Sequence, residues 1–316
     1  MKKLIFIFSI LMLICSVVVA EELTVQSDKQ EFKENSEKIF LDGNVKVKYG
    51  DINMSSPRAE VEVDPKNNKI KDVKFLDNAY SYMVKGDKKQ EIKANIIKMS
   101  VLDKIIYAED NTQSTVMENG KPVVIVTADN QQYNKKTSTM TATGAVVILY
   151  KDIESFSDKA TIELTSKNDV KKIQLSGHSI LKQKDNTIKA DLLTYDNVKE
   201  QATGNGNVYT DVNIEGKDRL QVWSDYQFYD KQKNFVTASG NTRINYKDFI
   251  ATGPKADVFA SKTTNKLNEV IFIGRSKIEN GPRKIEADKI TLTLEPKDFN
   301  AEGNVKTTIS NLKGFE

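Results

Sequence analysis

The stretch Lys136–Leu164, KTSTMTATGAVVILYKDIESFSDKATIEL, decides the fold. An alternating run arrives at Ala142 and Gly144, and a second leaves that corner as Val146, Ile148 and Tyr150. After a short polar turn come Phe156-Ser157-Asp158 and a third run, Ala160, Ile162 and Leu164. Apolar or small residues at every second position mark strands with one buried face. Beyond the first twenty residues no long segment shows helical spacing.

The corner recurs along the chain, at Gly43-Asn44, Asp77-Asn78, Asp110-Asn111, Gly144-Ala145, Gly177-His178, Gly206-Asn207, Gly240-Asn241, Gly274-Arg275 and Gly303-Asn304. The intervals are 34, 33, 34, 33, 29, 34, 34 and 29 residues, a period that signals a repeat architecture. Gly, Asn and Asp tolerate positive φ, so they suit a bend or bulge inside a strand. Positions two and four on either side of each corner are apolar or small, and the residues between them are mostly polar.

A second signature falls fourteen residues after the corner at Pro57, Asp158, Asp191, Pro254 and Asp288. Longer hairpin tips delay it to Asn95, Asp129 and Asp225. Its usual form is an apolar residue, a spacer, a small residue and then Asp or Asn, as in Ile188-Lys189-Ala190-Asp191. Each unit of about 33 residues thus supplies two long strands, each bent at a small-residue corner. The connections are too short for parallel crossovers, so consecutive strands are antiparallel. The sequence predicts an all-β protein: an elongated antiparallel β-jelly-roll, a folded-over, taco-like sheet of about eight repeats. It spans residues 21–316 as one body or as two modules, about 21–166 and 167–316, with no linker composition to mark the boundary.

Residues 1–20 stand apart. Lys2 and Lys3 precede an apolar run, and Val18 and Ala20 put small residues where a signal peptidase cuts. The segment reads as a cleaved export signal, with an uncleaved membrane anchor as the alternative. Its Cys15 is the chain's only cysteine, so the exported chain holds no disulfide and no thiolate zinc site. The 47 basic and 44 acidic residues give a formal charge of +3, or +1 once Lys2 and Lys3 are set aside. Charges of both signs are interspersed, which argues against nucleic acid as a partner.

The residues that invite a chemical reading have plainer roles. His178 stands where Asn is usual at a corner. Asp158, Asp191, Asp225 and Asp288 recur once per repeat, which fits capping at a bend better than a metal site or an acid pair. Trp223, with Tyr226, Phe228 and Tyr229, reads as core or rim packing rather than sugar stacking. Gly204-Asn205-Gly206 precedes no helix and is no nucleotide loop. No catalytic residue, metal ligand or cofactor site emerges.

The recurring G-N-V corner (Gly43-Asn44-Val45, Gly206-Asn207-Val208, Gly303-Asn304-Val305) and the small-Asp strand openings at Asp191 and Asp288 resemble the OstA/LptA family of periplasmic lipopolysaccharide-transport proteins. The resemblance covers essentially the whole exported chain. It implies a non-enzymatic periplasmic bridge that moves lipopolysaccharide or a similar envelope glycolipid from inner to outer membrane. Acyl chains would lie between the sheets on Val45, Val47, Val61, Phe75, Ile97, Val146, Ile148, Ile162, Leu175, Ile244, Val258, Phe272, Ile290 and Leu292. The last strand, with Val305, Thr307 and Ile309, would be an edge for docking. Implied partners are LptC-like inner-membrane and LptD-like outer-membrane proteins, paired through edge strands, or a second copy arranged head to tail. The chain is longer than a single-module LptA, and no run of membrane-barrel strands follows the repeats. The same apolar lining suits a closed core, so an exported structural or adhesive β-repeat protein stands as the alternative. An LptC-like anchored member of the pathway is another. A carbohydrate-active enzyme on a β-repeat scaffold would need clustered acids that break the repeat, and none does.

Overall fold

The computed structural model describes residues 23–32, 37–50, 52–64, 69–86, 88–101, 103–150, 152–165, 170–215, 218–261, 267–294 and 297–310. The export-signal segment and the module boundary expected near residues 166–170 lie wholly or largely outside these. Among the described residues there are twenty β-strands and no helix. The chain forms two compact units, one up to Ile173 and one from Gln174.

In the first unit, β1 (Leu23–Gln26) and β2 (Lys29–Phe32) both pair with β3 (Lys38–Tyr49). From there each strand runs antiparallel to the next: β4 (Ile52–Asp64), β5 (Lys69–Lys85), β6 (Lys88–Ser100), β7 (Ile105–Glu118), β8 (Lys121–Asn134), β9 (Thr139–Tyr150) and β10 (Ile153–Leu164). The chain continues through β11 (Val170–Gln183) into the second unit. There β12 (Asn186–Asp196), β13 (Gln201–Glu215), β14 (Asp218–Asp230), β15 (Phe235–Tyr246), β16 (Phe249–Ala260), β17 (Leu267–Asn280) and β18 (Arg283–Leu294) form a second antiparallel meander. Both β19 (Lys297–Glu302) and β20 (Lys306–Ile309) pair with β18. The all-β, antiparallel reading of the sequence is the observed one.

The corners are left-handed pairs. Both residues have positive φ at every corner except Gly274-Arg275, where only the glycine does. Each pair is an insertion in the ladder: the β3–β4 register jumps between Asp42 and Val45, and the β5–β6 register between Leu76 and Ala79. Two residues thus face one, a β-bulge, which turns the strand and sharpens its twist. Odd-numbered strands from β3 to β17 carry the corner, and even-numbered strands from β4 to β18 carry the Asp, Asn or Pro signature. At the two extremes the bend separates two assigned strands: Asp28 lies between β1 and β2, and Gly303-Asn304 between β19 and β20.

Signature and corner meet across the ladder. The side-chain amides of Asn44, Asn207, Asn241 and Asn304 donate to the carboxylates of Asp28, Asp191, Asp225 and Asp288 at 2.7–2.9 Å. Each carboxylate sits where the Cβ of the corner glycine would be. A methyl on Gly303 would come within 2.7 Å of an Asp288 oxygen, and Asp129 blocks Gly144 in the same way. Glycine is therefore needed twice, for its φ and for its missing side chain. The main chain joins in where Asp28 N–H donates to Gly43 O and Asp288 N–H to Gly303 O, both at 2.9 Å. The four aspartates bonded to corner asparagines, Asp28, Asp191, Asp225 and Asp288, are bend caps. Asp28 caps the first corner although the expected spacing, counted forward from a preceding corner, did not reach it.

Alternation sends one side of each strand inward. The residue two past the first corner position is essentially buried in every repeat before the last: Val45, Ala79, Thr112, Val146, Ser179, Val208, Thr242 and Ser276. One cluster of the first unit is built around Val45, Val61, Phe75 and Ile97, and one of the second around Ile244, Ala256, Phe272 and Ile290. Burying each such aliphatic or aromatic side chain contributes roughly 1.5–3 kcal/mol.

Gly144→Ala is expected to destabilise the chain by about 1–3 kcal/mol, from the left-handed backbone and the collision with Asp129. Adding Asp129→Ala should return the collision part and leave the backbone part. Urea unfolding of the two variants against wild type checks this, and a neutral Gly144→Ala would refute the geometry.

Candidate functional site

In the first unit the interior changes character along the chain. The tight cluster runs from Leu41 to Ala108. At its margin and beyond, Ile106, Met140, Ile148 and Ile162 are only half-buried and line a cleft of about 40 Å³ together with Ala108, Val126, Ala142 and Ala160. That volume exceeds one water and falls far short of an acyl chain. Residues next to the cleft must therefore move apart if a chain is to enter.

The cleft is apolar except at one corner. Ser114 Oγ donates to Gln131 Oε1 at 2.6 Å, and Gln131 Nε2 donates to Thr112 Oγ1 at 2.9 Å and to the Val126 carbonyl at 3.1 Å. Thr112 Oγ1 in turn donates to the Ala128 carbonyl. Beside this closed network, the hydroxyl of Tyr133 is buried with no hydrogen-bond partner. Tyr133 pairs in register with Ile106 and Met140, so the ladder places all three on the cleft side. Burial pushes its hydroxyl above the ordinary tyrosine range. The second unit repeats the network: Thr210 Oγ1 donates to Gln227 Oε1 at 2.7 Å, and Gln227 Nε2 donates to the Val222 carbonyl.

The interior positions expected from sequence distribute as follows. Val45, Val47, Val61, Phe75 and Ile97 lie in the first cluster, and Ile244, Val258, Phe272 and Ile290 in the second, with Leu292 packed against it. Val146 and Leu175 are buried. Ile148 and Ile162 line the cleft. At the other extreme Val305 and Ile309 are 51% and 49% exposed, and Thr307 is exposed with them. Gln131 and Tyr133 were not singled out from sequence. Their signal is the break they make in apolar alternation two and four residues after Asp129.

The outer face holds aromatic and charged side chains. Trp223 lies between the buried Val222 and Ser224 and so faces away from the interior, which leaves rim packing of the two roles expected for it. Its ring is 5.1 Å from that of Tyr209, and the Arg243 guanidinium lies 5.8 Å from its centroid. Tyr209 donates to Asp211 at 3.1 Å, and Arg219 donates to the same carboxylate at 2.8 Å. Burial alone would raise the Asp211 carboxyl, but the Arg219, Tyr209 and Gln221 donors outweigh it and hold it below the usual range. The first unit has a counterpart, where Tyr80 donates to Glu91 at 2.6 Å and Lys89 pairs with Glu91 while lying over the Tyr80 and Tyr82 rings. Glu91, then Tyr80, raises the Lys89 ammonium pKa. Among the described residues no three His, Cys, Asp or Glu side chains converge as metal ligands would.

The site is a bulged, antiparallel β-repeat with an apolar interior and a cleft along its inward face. The family model described as LptA/(LptD N-terminal domain) LPS transport protein matches residues 24–122 and 125–187, just over half of the chain, which therefore belongs to that family. A similar solved structure is the crystal structure of LptH from Pseudomonas aeruginosa, the LptA-homologous periplasmic component of its lipopolysaccharide transport device. The two share 15% identity over 42% of this chain and 96% of that one, with a TM-score of 0.36. Comparison with curated proteins gave no match.

Asp211, held low, adds stability that is complete above the ordinary aspartate range and is lost as pH falls through its folded value. Arg219→Met is accordingly expected to lower the denaturation midpoint at pH 7, with the gap from wild type closing at acidic pH. A gap that persists to pH 2 would show that Arg219 acts by packing alone.

Proposed function

We propose that this chain is a non-enzymatic periplasmic bridge for lipopolysaccharide or a similar glycolipid, with acyl chains held against the inward face of its bent strands. The observation that carries this, given membership of a lipopolysaccharide-transport family, is the half-buried apolar cleft at Ile106, Met140, Ile148 and Ile162. Each methylene moved from water onto such a surface gains about 0.8 kcal/mol. A chain of ordinary length thus gains enough to spread the cleft walls. The tightly packed clusters serve as the rigid frame, and lipid contact concentrates where the interior is loose. Export by the segment at residues 1–20 would place the protein in the periplasm.

Docking would use the strand edges. Among the described residues β19 and β20 have β18 as their strand partner, and the outer side of β20 is exposed. Ser310 N–H donates to the Pro282 carbonyl, so alternation along β20 turns the N–H groups of Thr307 and Ile309 toward the free edge. An incoming strand from an LptC-like or LptD-like partner, or from a second copy arranged head to tail, would add there. The packed clusters, with Phe75 and Ile290 fully buried, favour a second reading as a structural repeat with a closed interior.

Photo-crosslinking in cells separates the two. A probe at Ile148 should give lipopolysaccharide adducts and one at Val147, on the opposite face, should not. Adducts at neither, from folded exported protein, would establish the closed repeat. Separately, Thr307→Pro removes one outward N–H without touching the β18 ladder. It is expected to weaken partner or self-association at least tenfold, measured by crosslinking or sedimentation, while leaving the thermal midpoint within a degree or two.

A further inference from the structure

Tyr133 combines three features that no packing argument explains. Its hydroxyl is buried without a partner, it lines the cleft, and it sits beside a Gln131 network whose hydrogen-bonding groups are already engaged. Leaving a buried hydroxyl unpaired costs about 1–3 kcal/mol, and phenylalanine would fill the same space without that cost. The glutamine network occurs twice: Ser114, Val126 and Gln131 recur 96 residues later as Thr210, Val222 and Gln227, with the same hydroxyl-to-glutamine and glutamine-to-carbonyl bonds. Tyr229, at the place of Tyr133, is exposed, so the buried, unpartnered hydroxyl is a feature of the first unit's cleft alone.

We infer that Tyr133 is a polar station in the cleft, donating its hydrogen bond to an oxygen carried by an acyl chain, a chain hydroxyl or an acyl carbonyl, while the methylenes lie along Ile106, Met140 and Ile148. This rests on the lipid-carrier reading above. The Gln131 amide keeps its own partners and cannot turn to the ligand without breaking them, which leaves Tyr133 as the donor. The cleft would then distinguish an oxygen-bearing chain from plain hydrocarbon and set how far it slides in.

The test uses the purified exported chain and displacement of a fluorescent fatty acid by tetradecanoate and by 3-hydroxytetradecanoate. Wild type should prefer the hydroxylated chain by roughly fivefold to tenfold, the worth of one hydrogen bond. Tyr133→Phe should bring the ratio close to one while still binding both. The lipid-free thermal midpoint of Tyr133→Phe should equal or exceed that of wild type, because no protein bond is lost. An unchanged ratio with both chains bound overturns the station and leaves the carrier reading standing. A clear fall in the lipid-free midpoint overturns it as well, by showing that the hydroxyl is already engaged. Binding of neither chain by wild type removes the carrier reading and the station with it.

Discussion

Two consecutive left-handed residues in the middle of a strand, with a side chain of the neighbouring strand filling the space beneath, are the constraint on which the molecule depends. A non-glycine residue in that conformation costs about 1–2 kcal/mol, and the chain accepts the cost at every corner but Gly274-Arg275, twice over at Asp77-Asn78 and Asp110-Asn111. The return is a bend at a fixed register. Every side chain two positions on is then turned inward, and the cap bonds keep the ladder from slipping. A slip of one residue would exchange the buried and exposed faces of the whole strand. Hydrophobic burial supplies the stability, and the corner decides which residues are buried.

The composition of the corners follows from what lies under them. Where an aspartate lies beneath, at Asp28, Asp129, Asp191, Asp225 and Asp288, the first corner residue is glycine, because the carboxylate takes the volume of a Cβ. Where the signature position is Pro57 or Asn95, the corner residue is Asp77 or Asp110. At Asp77 the charge pattern is inverted, with Arg58 of the neighbouring strand donating to the corner carboxylate at 2.5 Å. Pro254 packs beneath Gly274 with its ring 2.6 Å from where a Cβ would be, and there the second corner residue is Arg275, which turns to the Asn304 carbonyl at 2.7 Å. The corner is thus one backbone geometry solved with several side-chain sets, which is why a strict residue motif is faint while the period is clear.

Much of this was legible in the sequence, for a physical reason: period-two alternation and positive-φ residues are local properties of the chain. Inward-facing Val45, Phe75 and Ile290 could be picked out by counting from a corner. The caps were harder. Counted forward from the preceding corner, the signature drifts with the length of the hairpin tip, as at Asn95 and Asp129. Its partner is the following corner, and the spacing there is 15 residues for Asp28, Asn95, Asp129, Asp191, Asp225 and Asp288. Asp28 has no corner before it and so escaped notice. For Trp223 the sequence left core and rim packing open, and Val222 and Ser224, which take the inward face on either side, leave it the rim. Gln131 and Tyr133 look like flaws in an apolar pattern, and only their contacts show them to be a network and an unpartnered hydroxyl.

The uneven packing of the first unit bears on how an interior can be both a core and a path. Around Phe75 and Ile97 the side chains are fully buried, and separating them would forfeit several kcal/mol of burial. Around Ile148 and Ile162 that burial was never complete, so opening the cleft gives up less. Regions that open easily are those with few buried apolar contacts. Alanines and hydroxyls at Ala128, Ala142, Ser157 and Ala160 keep the inner face shallow there. Larger side chains at those positions would close the cleft and add stability. On the carrier reading proposed above, small residues at successive strands would keep the separation cheap enough for an acyl chain, gaining burial with every methylene, to drive it.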